Sequence, residues 1–328
     1  MKAITYGRFG SPDVLELREI PKPTPKDDEV LIKVHATTVT AGDRRARTHQ
    51  APKGFWLPVR LFFGFFRPRK PILGTELAGE IEAVGKAVTK FKVGDHVFAF
   101  SGAGMGCYVE YKCMPEDGHG DKDGVVALKP ENLSYEEAAA LSFGGTTALA
   151  FLKRAKIKRG DRVLINGASG GVGTAAIQIA KHFGAEVTAV CSTRNLELTR
   201  SLGADKVIDY TKEDFTKDGE TYDIIVDTAG TAPFHRCKGS LKRGGRLLMI
   251  LAALPDFLEI PWASMTSSKK VIAGLPGWGP EDVHTLASLA EAGEFKPVID
   301  RRYRFEQIAD AHRYVDTGHK RGNVVVSL

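Results

Sequence analysis

Residues Arg162 to Val190 read "RVLINGASGGVGTAAIQIAKHFGAEVTAV". A β-branched apolar run ends at Asn166, a glycine-rich turn follows, a helix is expected to open near Gly173, and a second β-rich run starts at Glu186. Glycines at such a turn let the backbone approach a pyrophosphate, whose charge meets unpaired amides at the helix N-terminus. The match is to A-x-G-x-x-G, with Ala168 where the first glycine of the usual fingerprint stands, then Gly170 and Gly173. In a strand–turn–helix–strand context this pattern marks a dinucleotide site. The competing reading is a glycine-rich turn with no ligand.

Two rival motifs fail on spacing. A nucleoside-triphosphate loop needs Lys and then Ser or Thr after its last glycine, whereas Thr174 follows Gly173 directly. The turn also fits the G-x-x-x-G-x-G of short-chain dehydrogenases, but their Tyr-x-x-x-Lys pair belongs downstream, and the match here, Tyr108 to Lys112, lies upstream. The end of the second strand separates the cofactors. NAD sites place an acid there to grip the ribose hydroxyls. This chain has Ser192, Thr193, Arg194 and Asn195, and hydroxyls with a guanidinium suit a 2′-phosphate. NADP(H) is therefore expected over NAD(H), a solvated Arg194 being the bland alternative.

Outward from this stretch, "EVTAVCS", "LELTRSLGA", "KVIDY", "YDIIVDTAG" and "GGRLLMIL" alternate β-rich runs with helical runs closed by glycine, as a doubly wound parallel sheet requires. Ahead of it, Ser134 and Glu137 form a capping-box signature before an alanine-rich helix. Earlier still, "EVLIKVHATTV", "GTELAGEIEAVG" and "GDHVFAF" are short strands broken by Pro and Gly, suiting a largely antiparallel barrel, the second bending around its glycines. The C-terminal stretch supplies a helix, a strand near "KPVID", another helix and a last strand, "GNVVVSL". An α/β protein of two domains is expected, divided at 1–128, 129–276 and 277–328, the last returning to the first.

Composition narrows the partners. With 43% hydrophobic and 26% charged residues the chain is that of an ordinary globular protein. A net charge of +6 suits an anionic small molecule, and the scatter of Lys and Arg argues against nucleic acid. Four cysteines without a CxxC pair give no support to zinc-finger or thioredoxin-like readings. "MKAITYGRFG" has no signal-peptide core, and no run has transmembrane length, so a cytoplasmic protein is expected.

The chain resembles the medium-chain dehydrogenase/reductases in "VGDHVFAF", "AAALSFGGTTAL", the cofactor turn, "SLGADKVIDY" and "RGNVVVSL". Within them it is similar to the zinc-free quinone oxidoreductase and enone reductase branch. The resemblance implies a GroES-like barrel with a Rossmann domain, a homodimer, and hydride transfer from NADPH to a quinone or α,β-unsaturated carbonyl, the alternatives being an NAD(P)-dependent alcohol dehydrogenase or carbonyl reductase and a non-catalytic NADPH-binding redox sensor. Zinc alcohol dehydrogenases carry Cys in the first barrel loop and Gly-His-Glu in the second; here "TVTAGD" puts Thr40 in the Cys position, and Gly74-Thr75-Glu76 follows. Hydroxyls are poor zinc ligands, so no metal is expected and Glu76 reads as a brace. Without a Lewis acid a conjugated acceptor is the easier substrate. The branch often has Asn at the Thr40 position and Tyr at that of Arg45. Thr40 and Arg45 are candidate oxyanion donors here, surface exposure being the alternative for Arg45, and Asp43 braces the loop. By the same resemblance Thr147, Ala168, Ser169, Gly170, Gly171, Val172 and Gly173, then Ser192, Thr193, Arg194 and Tyr210, then Thr228, Ala229 and Gly230, with Leu251 and Asn323, form the cofactor site. For Tyr210 core packing is the alternative.

"GFWLPVRLFFGFFRPRKP", Gly54 to Pro71, is aromatic, apolar and basic. It reads as a lid over an apolar pocket, as an interfacial membrane contact, or as a buried helix or dimer contact. "MPEDGHGDKDGVVALKP" reads as a solvated loop.

Overall fold

The computed structural model describes residues 1–120, 123–257, 260–261, 267–274 and 277–328. Two compact units emerge: Met1–Ala51, Trp56–Thr146 and Trp278–Leu328 form one, and Pro52–Phe55 with Thr147–Gly277 the other. The chain passes between them within the helix Ser142–Arg154. The residues just before the expected boundary at 276/277, namely 275–276, lie outside the described residues.

In the first unit the strands are β1 (Lys2–Thr5), β2 (Glu16–Glu19), β3 (Glu29–Thr38), β4 (Glu76–Val84), β5 (His96–Phe100), β6 (Tyr111–Pro115) and β7 (Val125–Leu128). The second unit holds β8 (Arg162–Asn166), β9 (Glu186–Cys191), β10 (Lys206–Asp209), β11 (Tyr222–Asp227), β12 (Leu241–Met249) and β13 (Lys270–Ala273). The chain then returns with β14 (Ile299–Arg304) and β15 (Asn323–Ser327).

Seven strands of the first unit form one sheet in the order β14-β15-β3-β4-β5-β7, with β6 also paired to β3. All pairs but β14–β15 are antiparallel. β4 is a single strand through Gly79. It runs unbroken, because Gly79 lets the two strands close: a Cβ there would meet Ile32 Cγ2 at 3.0 Å and the Lys33 carbonyl. The register with β3 absorbs the irregularity on either side of that contact. The stretch expected as a solvated loop begins in β6 and includes β7, whose Val125, Val126 and Ala127 are buried and pair with β5. Asp121 and Lys122, within it, lie outside the described residues.

The second unit is a six-stranded, wholly parallel sheet in the order β10-β9-β8-β11-β12-β13. Its inner strands are apolar at their centres, Val163 to Ile165 in β8 and Ile224 to Val226 in β11, as burial on both faces demands. The order reverses at β8, and open parallel sheets form their ligand crevice at the carboxyl ends of strands at such a point. The helix after β8, Gly171–His182, opens two residues earlier than expected. The Ser134–Glu137 capping box is present, but the alanine-rich run closes at Ala139 and a separate helix begins at Ser142. Among the described residues no helix is long and apolar enough to cross a membrane.

Candidate functional site

In the second unit the turn between β8 and its helix is built to stay close to the strand. Gly167 has φ +80°, a left-handed conformation that suits glycine, and a Cβ there would lie 2.5 Å from Thr228 Oγ1. Thr228 Oγ1 donates to the carbonyls of Asn166 and Gly167, both at 2.9 Å, and fixes the turn. Gly173 faces the backbone of the turn itself, where a Cβ would fall 2.7 Å from the Ala168 carbonyl carbon. Gly170 differs. Its φ is −80°, and a Cβ would meet only the Gly167 carbonyl oxygen, at 3.8 Å. Nothing in the protein requires glycine there, whereas a ligand against the backbone would. The first helical hydrogen bond runs from Thr174 N–H to the Gly170 carbonyl at 2.8 Å, which leaves the amides of Gly171, Val172 and Gly173 without acceptors among the described residues.

The neighbouring strand ends complete this face. Asn195 is buried, its amide donating to Ser169 Oγ at 3.0 Å and Ser192 Oγ at 3.1 Å while its Oδ1 has no partner among the described residues. Thr193 Oγ1 donates to Asp209, which ends β10 beside the end of β9. Asp209 also accepts from the Thr211 amide at 3.0 Å and hydroxyl at 2.7 Å, and these hydrogen bonds hold its carboxyl below the usual range. Arg194 is exposed, and Tyr210 is 61% exposed, which rules out core packing for it. Its backbone ties the strand end while its ring turns outward. Asp227, ending β11, accepts from the amides of Ala229, Gly230 and Ala232 and from Asn166 Nδ2, at 2.8 to 3.1 Å, so the loop Thr228 to Gly230 is folded around one carboxylate. Leu251 lies against Gly230, its Cβ 3.5 Å from where a Cβ would be. Thr147 is half-buried in its helix. Asn323 belongs to the first unit, and both its backbone and side-chain amides donate to the Val298 carbonyl.

The first unit gathers a buried polar cluster. Thr40 caps the helix Ala41–Thr48: its hydroxyl donates to Asp43 Oδ2 at 2.6 Å and accepts from the Asp43 amide at 3.1 Å. That hydrogen is therefore committed to Asp43 in this structure. Asp43 Oδ1 accepts from the Gly74 amide at 3.0 Å, joining the two loops. Burial raises the Asp43 carboxyl to about 6, against hydrogen bonds from Thr40, Gly74 and Tyr108. Glu76 is fully buried as well. Thr38 Oγ1 donates to its Oε1, and the Phe143 amide to its Oε2 at 2.6 Å. Burial lifts it to about 7, partly offset by those hydrogen bonds and by the Lys320 ammonium, which burial itself lowers to about 8. Glu76 thus braces β4 against β3 and the segment at Phe143. Arg45 is half-buried, and desolvation lowers its guanidinium.

Sequence reasoning missed what surrounds Asp43. Arg47 is completely buried, its Nη2 donating to Asp316 at 2.6 Å, its Nη1 to the Gly10 carbonyl at 2.6 Å, and its Nε to His312 Nδ1 at 3.2 Å. Because arginine only donates, His312 accepts at Nδ1 and carries its hydrogen on Nε2, which faces Tyr108 Oη at 3.2 Å. Tyr108 then donates onward to Asp43. Burial, with Arg47 adding to it, lowers His312 to about 3 and keeps it neutral. These partners stand 265 and 204 residues apart, so no local signal could have paired them. Two buried hydroxyls of the first unit, Thr75 Oγ1 and Ser142 Oγ, have no hydrogen-bond partner among the described residues.

Residues 26–123 match the family model described as alcohol dehydrogenase GroES-like domain, and residues 202–326 that described as zinc-binding dehydrogenase. The chain is 34% identical to the 2-methylene-furan-3-one reductase of Solanum lycopersicum and 34% identical to the chloroplastic NADPH-dependent alkenal/one oxidoreductase of Arabidopsis thaliana, each match spanning 99% of this chain and 79% of the relative. The solved quinone oxidoreductase of Coxiella burnetii superposes with a TM-score of 0.86 at 30% identity, covering 100% of this chain and 99% of that one. The chain belongs to the medium-chain dehydrogenase/reductase superfamily, nicotinamide-dependent oxidoreductases, in the branch of quinone oxidoreductases and enone reductases.

Proposed function

We propose that this chain is a zinc-independent, NADPH-dependent reductase that delivers hydride to a quinone or to the β-carbon of an α,β-unsaturated carbonyl. The observation that carries this reading is the turn before the helix Gly171–His182: three amides without acceptors, beside a glycine whose missing Cβ leaves space no protein atom fills. Such a cradle fits a pyrophosphate, held by the amides at Gly171, Val172 and Gly173. Ala168 and Ser169 shape the approach, and Ser192, Thr193 and Arg194, with the exposed Tyr210, take the adenosine phosphate end. Asp209 is held anionic by its hydrogen bonds, and the Lys212 ammonium, 3.8 Å from its Oδ2, offsets its charge toward that phosphate. Thr147, Thr228 to Gly230 and Leu251 serve the nicotinamide side. The name of the Arabidopsis relative includes NADPH, which agrees with this choice.

Zinc does not fit the donors present. Thr40 and Thr75 offer hydroxyls where zinc relatives offer Cys and His, and among the described residues no three His, Cys, Asp or Glu side chains group as ligands. When bound, the reduced nicotinamide supplies a hydride. Reduction of such an acceptor puts oxyanion charge on its carbonyl, and Arg45 and the Thr75 hydroxyl, which has no partner among the described residues, are candidate donors for it. Thr40 and Asp43 position the loop that carries Arg45.

The test is NADPH oxidation by purified, chelator-treated protein offered quinones, enones, alkenals and saturated aldehydes, with NADH alongside. Turnover of quinones or enones with NADPH, insensitive to chelation, is expected. Loss of activity on chelation, or tight NADPH binding without turnover of any acceptor, overturns the proposal.

A further inference from the structure

The segment Trp56 to Lys70 has no role in the chemistry above. Its helix, Trp56–Phe63, contains no buried residue, which overturns the buried-helix reading of this stretch. Trp56, Leu57, Leu61, Phe62, Phe65 and Phe66 all face solvent, Trp56 at 60% and Phe66 at 88% exposure. Contiguous apolar surface of this kind marks an interaction site. The segment is nonetheless built. Phe63, partly buried, packs against the core of the first unit, the Gly64 amide donates to the Arg60 carbonyl at 2.9 Å, and the Arg69 amide donates to the Phe63 carbonyl at 2.8 Å. Lys70 Nζ donates to the Ala103 and Gly104 carbonyls at 2.6 and 3.1 Å. Gly64 is buried with φ +114°, and a Cβ there would strike the Arg67 carbonyl. The turn therefore fixes Phe65 and Phe66 outward.

Charge selects the occupant. From Arg44 to Thr75 the chain contains no Asp or Glu. Arg60, Arg67 and Arg69 are exposed among the aromatics, and none has a carboxylate or hydrogen-bond partner for its guanidinium among the described residues. A twofold contact with this stretch on the axis would set these arginines against their own counterparts, with no acid in the stretch to neutralise them. An anionic lipid surface satisfies both halves of the patch: aromatic rings enter the interface while the guanidiniums meet phosphate. We infer that Trp56 to Lys70 docks this protein on anionic lipid surfaces. The inference does not rest on the proposed reaction.

Co-sedimentation with vesicles of phosphatidylcholine alone, and with phosphatidylglycerol added, tests it on the full chain. Binding to the anionic vesicles is expected, weakening as NaCl rises, with little binding to the neutral ones. The triple variant R60Q/R67Q/R69Q should lower partitioning on the order of a hundredfold. F62S/F66S, which removes exposed rings and so opens no cavity, should lower it too. Circular dichroism and thermal melting check that both variants remain folded. Absence of binding to anionic vesicles, or binding that both folded variants retain, overturns the inference. So does self-association that F62S/F66S abolishes in a chain that binds no vesicle, since the face would then belong to a second copy.

Discussion

At the scale of single residues, a hydroxyl buried without a partner is a cost that a ligand can relieve. Thr75 Oγ1 is in that state. Replacing it with valine removes the unpaired group at nearly constant shape, so T75V should melt no lower than the native chain. If it donates to the substrate oxyanion, kcat should fall on the order of a hundredfold, with little change in KM for NADPH. Steady-state kinetics and a thermal melt on one preparation separate the two effects. Glu76 makes a pH statement. Its carboxyl is raised from 4.5 to about 7 by burial, so between those values the folded state binds more protons than the unfolded one. The contribution of Glu76 to stability is full below pH 4.5 and lost as pH rises through about 7. E76Q removes that titration. The stability of the native chain relative to E76Q should therefore decline from pH 4.5 to 7, read from urea midpoints at each pH. Asp43, raised to about 6, keeps its own slope in both proteins.

At the scale of elements, the cofactor turn assigns different duties to two glycines of one motif. G173A must push the helix Gly171–His182 off the turn, because its methyl would overlap the Ala168 backbone; a loss of roughly 1–3 kcal/mol is expected in a denaturant melt. G170A meets no such atom and should melt within about 0.5 kcal/mol of the native chain. Both should weaken NADPH binding in a fluorescence titration, G170A without loss of fold. Arg47 clamps the helix Ala41–Thr48 to the helix Ile308–Asp316 through a buried fork to Asp316. R47M leaves His312 Nδ1 and the Gly10 carbonyl without their donor and Asp316 with Arg44 Nε alone, at 3.2 Å, and should cost about 1–3 kcal/mol, measured as urea-induced unfolding.

At the scale of the whole molecule, the two units carry different parts of the task, and ligand linkage distinguishes them. NADPH at a hundred times its Kd should stabilise the folded state by about 2.7 kcal/mol. In hydrogen exchange the added protection should centre on residues 167–174 and 192–195 of the second unit; protection confined to the first unit would contradict the assigned site. The parallel sheet, the glycine turn and the hydroxyl-rich end of β9 were legible in the chain itself, because each depends on a local period or on steric freedom at one position. Four features were not. The Trp56–Phe63 helix exposes its apolar residues, against the usual rule, so periodicity alone could not orient it. Asp209 arrives at the end of β9 only because β10 pairs beside it. Tyr108, read in sequence as half of a chance motif, becomes the link between Asp43 and His312. Thr40 proves committed to its own helix cap. Sequence alone therefore determined the fold class and the glycine-rich turn, since backbone conformation and hydrophobic period are written locally. Tertiary structure decided which hydroxyls are spent and which are left over, and which carboxylates are lifted toward neutrality. Those outcomes depend on burial and on partners brought together from distant parts of the chain.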